Sequence, residues 1–210
     1  MSLEKNTETD PISKGYEPGS GQLILIDVTV FLSILKSFFE TADKRVKKKQ
    51  VQKIVSSKEW FEHYYNRKNG RRVLSALATI DYAHELATAI KLTEVDYDVV
   101  FTPKGMFSRS EKKFDVLLLR DSILLKADLK TISSRNPLSI AKRIIEGGEQ
   151  APRVVLDIKS DVSSRILIQA LRSSNYKNDL IKEIFLFYRS KFYVLPKNLI
   201  LSNQIFKVLP

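Results

Sequence analysis

The chain has 210 residues, of which 43% are hydrophobic and 28% charged, and it contains no cysteine. That length and balance fit one ordinary domain with an extension, and they exclude a collagenous or wholly disordered chain, a disulfide framework and cysteine-ligated zinc. The net charge of +11 attracts phosphate polyanions and releases their counterions on binding, so nucleic acid is the leading partner, ahead of an anionic membrane or an acidic protein.

Residues 1–22 are polar and rich in Gly, Pro, Ser and Thr, which reads as a mobile tail without a signal-peptide pattern. "LILIDVTVFLSILKSFF" follows, but Asp27 and Lys36 interrupt it and its 17 residues fall short of a bilayer span, so no transmembrane segment is expected. It reads instead as a buried helix, or a strand leading into one. "KRVKKKQVQK" then places six cations in ten residues, a solvated helix face or a phosphate grip. Residues 23–70 are therefore expected to form a basic, largely helical extension. At its end, Trp60, Phe61, Tyr64 and Tyr65 stand beside Arg67, Lys68, Arg71 and Arg72, a mixture that suits either a packed core face or stacking on unpaired bases.

Residues 71–210 are expected to form the main domain. Val73, Leu77, Ile80, Ala83, Ala87 and Ile90 recur at three and four residues and predict an amphipathic helix, with Asp81, His84 and Glu85 on its flank. "DYDVVFTPKG" predicts a strand and turn, and "FDVLLLRDSILLKADLK" a hairpin. "NPLSIAKRIIEGG" predicts a helix capped by Asn136, entered through Pro137 and stopped by Gly147 and Gly148. "RVVLDI" is a buried strand, with Asp157 read as a strand-end residue bonded locally. "SSRILIQALRSS" is a helix, and "EIFLFYRSKFYVLP" a hairpin turning at Arg189 to Lys191. This order predicts an α/β fold with a mixed central β-sheet flanked by helices.

The hairpin carries the chemistry. With a two-residue turn at Asp121 and Ser122, the numbers of paired residues sum to 243, and Asp115 lies across from Asp128. Alternation puts Asp128 and Lys130 on one face. Neighbouring carboxylates in an apolar hairpin repel each other and lose hydration, so positive charge must compensate. Lys130 supplies one unit, and a divalent cation is the natural hard-oxygen partner for the rest. A metal, two carboxylates and a lysine suit phosphodiester cleavage, whereas solvated charges at a hairpin end are the plain alternative.

"FDV" followed by "ADLKT", after an acid-bearing helix and before a helix and buried strand, resembles the PD-(D/E)xK nuclease superfamily and its αβββαβ core. Two departures stand out: no proline precedes Asp115, and the second acid is an aspartate. More narrowly, "DYDVVFTP", "ADLKT" and "IAKRIIEGGEQAPRVVLDI" resemble tRNA-cleaving toxin domains of contact-dependent growth-inhibition proteins and related polymorphic toxins, over roughly residues 73–195.

The resemblance implies Asp115, Asp128 and Glu85 as metal ligands, with Asp81 as an alternative to Glu85, the Leu129 carbonyl as a further ligand, and Lys130 as the catalytic lysine. It implies magnesium, with manganese or zinc as alternatives, and Thr131, Lys142, Arg143 and Gln150 facing the nucleic acid. It further implies an RNA substrate, tRNA included, an acidic immunity protein as partner, and action in the cytoplasm after delivery within a secreted toxin. A metal-independent RNase of the barnase-like or colicin-like group and a non-catalytic basic nucleic-acid-binding module are the competing expectations.

Overall fold

The computed structural model describes residues 61–75, 83–102, 113–120 and 123–209. The expected tail, the apolar segment at 23–39, the lysine-rich run at 44–53, Trp60 and Asp81 lie outside the described residues.

Eight strands among the described residues form one mixed sheet whose spatial order follows the sequence: β1 Phe61–Tyr65, β2 Arg72–Ser75, β3 Asp98–Phe101, β4 Val116–Arg120, β5 Ile123–Ile132, β6 Arg153–Ile158, β7 Glu183–Tyr188 and β8 Lys191–Pro196. The pairs β2/β3, β5/β6 and β6/β7 are parallel and the other four antiparallel. Each parallel pair needs a crossover, and helices supply them: α1 Ala83–Glu94, α2 Pro137–Gln150 and α3 Ser164–Lys177. Two short helices, α4 Lys197–Leu201 and α5 Ile205–Val208, follow the last strand. The expected α/β class and the order helix, three strands, helix, strand are both present, as α1-β3-β4-β5-α2-β6.

The two sheet faces carry different cores. Leu86, Ala89 and Leu92 of α1 pack on Val99, Val116, Leu118, Ala127, Leu129 and Val155. On the other face, Ile140 and Ile144 of α2 and Leu167 and Leu171 of α3 pack on Val154, Leu156, Ile184 and Leu186. The odd-numbered positions of β5 and β6 thus face α1 and the even-numbered positions face α2, the period-two alternation of a strand buried on both sides.

Three expectations change. Val73 lies in the strand Arg72–Ser75, and the described helix covers Ala83–Glu94, with Leu77 and Ile80 outside the described residues. A four-residue strand beside an apolar run looks helical at that spacing, and only pairing with β3 decides otherwise. The expected boundary at residue 70 falls inside the β1–β2 hairpin, because Phe61, Glu62, Tyr64 and Tyr65 pair with Ser75, Leu74, Val73 and Arg72 and so join the main sheet. Gly147 and Gly148 do not stop α2, which continues to Gln150.

Other expectations hold. Asn136 caps α2 by accepting from Leu138 N at 2.9 Å, with Pro137 at the first turn. The β7–β8 turn is at Arg189 and Ser190, both with positive φ (48° and 59°), as a tight hairpin turn requires.

Candidate active site

The β4–β5 register matches the expected hairpin: Val116, Leu117, Leu118, Leu119 and Arg120 pair with Ala127, Lys126, Leu125, Leu124 and Ile123. One step beyond the last pair, Asp115 breaks from the ladder. Its carbonyl accepts from Thr102 N at 2.9 Å and from Thr102 Oγ1 at 3.0 Å. Its Oδ2 accepts from Leu129 N at 2.8 Å, so a carboxylate takes over where the β4 backbone stops. This bond fixes the Asp115 side chain beside β5.

Asp128 points to the α2 face and is wholly buried, at 0% exposure. Its Oδ2 forms an ion pair with Lys130 Nζ, two residues along the same face, yet that oxygen has no hydrogen bond of good geometry. Gln150, with its amide oriented to satisfy its neighbours, donates to Asp128 Oδ1 at 3.2 Å and to the Lys113 carbonyl at 3.0 Å. The Asp115 carboxylate is near enough to Asp128 for its charge to disfavour ionisation there. Burial first, and then the Asp115 charge, push the Asp128 carboxyl from its ordinary 3.8 up to about 8, against the pull of Lys130. One lysine does not match two carboxylates in a dry site.

The sheet thus brings together Asp115, Asp128, Lys130 and Gln150. Glu85 is not brought to them: it rides in the first turn of α1, whose apolar side covers the opposite face. Among the described residues, no group of three acids or histidines stands close enough to hold a metal. Thr131, Lys142 and Arg143 line a neighbouring hollow of about 400 Å³ together with Ser134 and Ser139. Lys142 and Arg143 are exposed, and Arg143 pairs loosely with Glu146 at 3.4 Å.

Several contributors escape a reading of the sequence. A Cβ on Gly147 would stand 2.9 Å from Asp128 Oδ2 and 2.9 Å from Val154 Cγ1, so this glycine lets α2 close over the carboxylate. Gly148 has a separate task, since a Cβ there would meet Asn178 Nδ2 at 2.7 Å in the α2–α3 packing. The available signal is a Gly pair inside a helical pattern, shortly before a glutamine. Lys126, buried on the same face as Asp128, holds its ammonium 4.4 Å from the centre of the Phe114 ring. Thr102 gives no sign of its clamp on Asp115, because that contact spans the β3–β4 connection.

Asp157 stands near the end of β6 with a local partner, as expected: Lys159 Nζ lies 2.9 Å from its Oδ2. It is also 1% exposed and held from α1, where Thr88 Oγ1 donates to Oδ2 at 3.2 Å and Lys91 Nζ lies 2.8 Å from Oδ1, two partners the sequence does not show.

Comparison with protein-family models finds no match, and comparisons with curated proteins and with solved structures find no significant match. Among the described residues, no helix is long and apolar enough to cross a membrane.

Proposed function

We propose that this chain is a metal-dependent endonuclease of the PD-(D/E)xK type that cleaves RNA, tRNA included, as the nuclease domain of a bacterial toxin. One observation carries the reading: the buried Asp128 carboxylate is paired with Lys130, yet burial and the neighbouring Asp115 charge outweigh that lysine and disfavour its ionised form.

The donor set fits a divalent cation. Asp115 and Asp128 are hard oxygen donors, and the buried Asp128 Oδ2 lacks a well-formed hydrogen bond. A divalent ion held by these two side chains would polarise a phosphoryl oxygen and make bound water a stronger acid. The protein's own groups do the rest. Lys130 sets an ammonium beside Asp128, where it can meet the negative charge that builds on the phosphate oxygens during attack. Gln150 holds the plane of the Asp128 carboxylate, and the Leu129 amide holds that of Asp115. Thr131, Lys142 and Arg143, in the hollow beyond Lys130, suit contacts to the nucleic-acid backbone.

The test is incubation with tRNA, total RNA and plasmid, with and without chelator. Cleavage of RNA that stops in chelator, and falls about 100-fold or more in Lys130→Ala and Asp128→Ala while both stay folded, is the expected result. Undiminished cleavage in either variant overturns it.

A second reading rests on the proton itself. A carboxyl with a pKa of about 8 is poised for general acid–base work near neutral pH. With the ribose 2′-hydroxyl as nucleophile, Asp128 and Lys130 would make a metal-independent RNase, and its cleavage would survive chelator. Binding without turnover would leave only the basic binding module. The toxin reading also carries an acidic immunity partner, since a +11 chain favours electrostatic capture, and action in the target cytoplasm after delivery within a secreted protein.

A further inference from the structure

A hollow of about 650 Å³ opens on the α1 face, between the last turn of α1, the end of β6 and the β7–β8 turn. Its makers are Lys91, Lys159, Phe187, Arg189, Lys191 and Phe192. Asp157 anchors it. Each lysine ammonium has three donors, and Asp157 engages one from Lys91 and one from Lys159, at 2.8 and 2.9 Å. The two side chains remain 35% and 41% exposed, so their heads face the hollow while a buried carboxylate fixes their positions. Two flexible lysines held in place in advance lose less entropy when an anion arrives.

The opposite wall is the β7–β8 turn, which presents Arg189 and Lys191, both exposed. Phe187 and Phe192 form an apolar side, with ring centres 4.9 Å apart and both rings half-buried. Lys91 Nζ lies 5.6 Å from the centre of the Phe187 ring. The acids lining the hollow are Asp157, Glu94 and Asp161, three against four cations, which leaves one net positive charge. An apolar aromatic surface beside fixed cations suits a ligand with both a π-face and an anionic group.

The placement connects this hollow to the carboxylate pair. Asp157 pairs with Thr131 in the β5–β6 register, next to Lys130, and adjacent strands lie about 4.8 Å apart. A strand of nucleic acid that rounds the ends of β5 and β6 would meet both places.

We infer that this hollow is a second nucleic-acid subsite, which takes one unpaired nucleotide with its base against Phe187 and Phe192 and its phosphate among Lys159, Arg189 and Lys191. The identity of the ligand rests on the nuclease reading, whereas the pocket chemistry does not. The subsite makes single-stranded or looped segments the preferred substrate, because a paired base cannot enter.

The test is fluorescence-anisotropy binding of a labelled 2′-O-methyl oligonucleotide of about ten nucleotides, a length in the range of single-strand sites. This backbone has no free 2′-hydroxyl, and chelator is present throughout, so binding is read without cleavage. Arg189→Gln/Lys191→Gln should weaken binding about tenfold or more and flatten the salt dependence by about 1.4, at about 0.7 per lost single-strand phosphate contact. Lys207→Gln, outside the hollow, should have a much smaller effect. The unsubstituted protein should bind an abasic oligonucleotide at least about fivefold more weakly, the low end for one stacked base.

Unchanged affinity and salt slope in the double variant would overturn the subsite, and equal binding of the abasic strand would overturn the seated base. If Asp128→Ala cleaved RNA at full rate while the double variant still lost binding, the nuclease reading would fall and the subsite would stand.

Discussion

Asp128 and Asp157 lie on neighbouring strands, both out of water, and they face opposite sides of the same sheet. Asp157 has two lysines and a threonine hydroxyl around it. Burial raises its pKa, but the hydrogen bonds and charges of Lys91 and Lys159 outweigh burial and hold the carboxyl below its ordinary 3.8. Asp128 has one lysine and a second carboxylate, and it is pushed up to about 8. The same residue type at similar burial is thus a matched anchor in one place and an unmatched charge in the other. A matched buried acid stabilises its surroundings, and an unmatched one costs stability until a cation or proton arrives.

The largest consequence of this difference concerns Asp157. Asp157→Ala should destabilise the protein by about 1.5–3 kcal/mol in urea unfolding, because a buried carboxylate loses its charge-assisted hydrogen bonds from Lys91, Lys159 and Thr88. Asp128→Asn should show no such loss, since the new amide oxygen can accept from Lys130 and its nitrogen can donate to Gln150 once the Gln150 amide turns its oxygen inward. Equal destabilisation in both variants would erase the contrast between the two sites.

Next in size is the response to metal. A cation that binds only the folded site stabilises by mass action, about 2.7 kcal/mol at a hundred times its Kd. Thermal melts in magnesium against chelator should show this gain in the unsubstituted protein and in Asp157→Asn, and none in Asp128→Asn. A magnesium effect that persists in Asp128→Asn would locate the ion elsewhere.

Gly147 and Gly148 sharpen the contrast within one helix. An added methyl at either position should cost about 1–3 kcal/mol by overpacking. Only Gly147→Ala should also lower cleavage per folded molecule, because only its Cβ would press on Asp128 Oδ2. Parallel loss of activity in Gly148→Ala would reduce both effects to packing.

How much of the fold and the site is legible in the sequence depends on how local each cause is. The β4–β5 register follows from alternation and a short turn, which together are enough to set Asp115 beside Asp128. The strand at residues 153–158 and the Asn136 cap are legible for the same reason, since a few adjacent residues determine each. Val73 reads as helical because spacing over a few residues cannot show pairing with β3. The lysine and threonine partners of Asp157 lie on α1 and at the end of β6, and Lys91 and Thr88 stand 66 and 69 residues away, beyond the reach of any local pattern. Glu85 illustrates the converse: an acid at a suitable place in the order of elements, carried by a helix that packs on the other side of the sheet.

The most direct reading of Asp128 is the dependence of stability on pH in chelator. In the folded chain Asp128 keeps its proton up to about 8, whereas in the unfolded chain it releases it near 3.8. Between those values the folded state holds a proton that the unfolded state lacks, so stability must fall as pH rises from about 4 to about 8. The Asp157 contribution has the opposite sign: it is present above 3.8 and is lost only as pH falls through its lower folded value. Urea midpoints at pH 5 and pH 8 should therefore decline in the unsubstituted protein and stay nearly level in Asp128→Asn, which should be the more stable of the two at pH 8. Magnesium competes with that proton, so its apparent affinity should rise with pH and level off above about 8. A flat midpoint in the unsubstituted protein would mean that Asp128 is ionised and already matched, and the contrast with Asp157 would be gone.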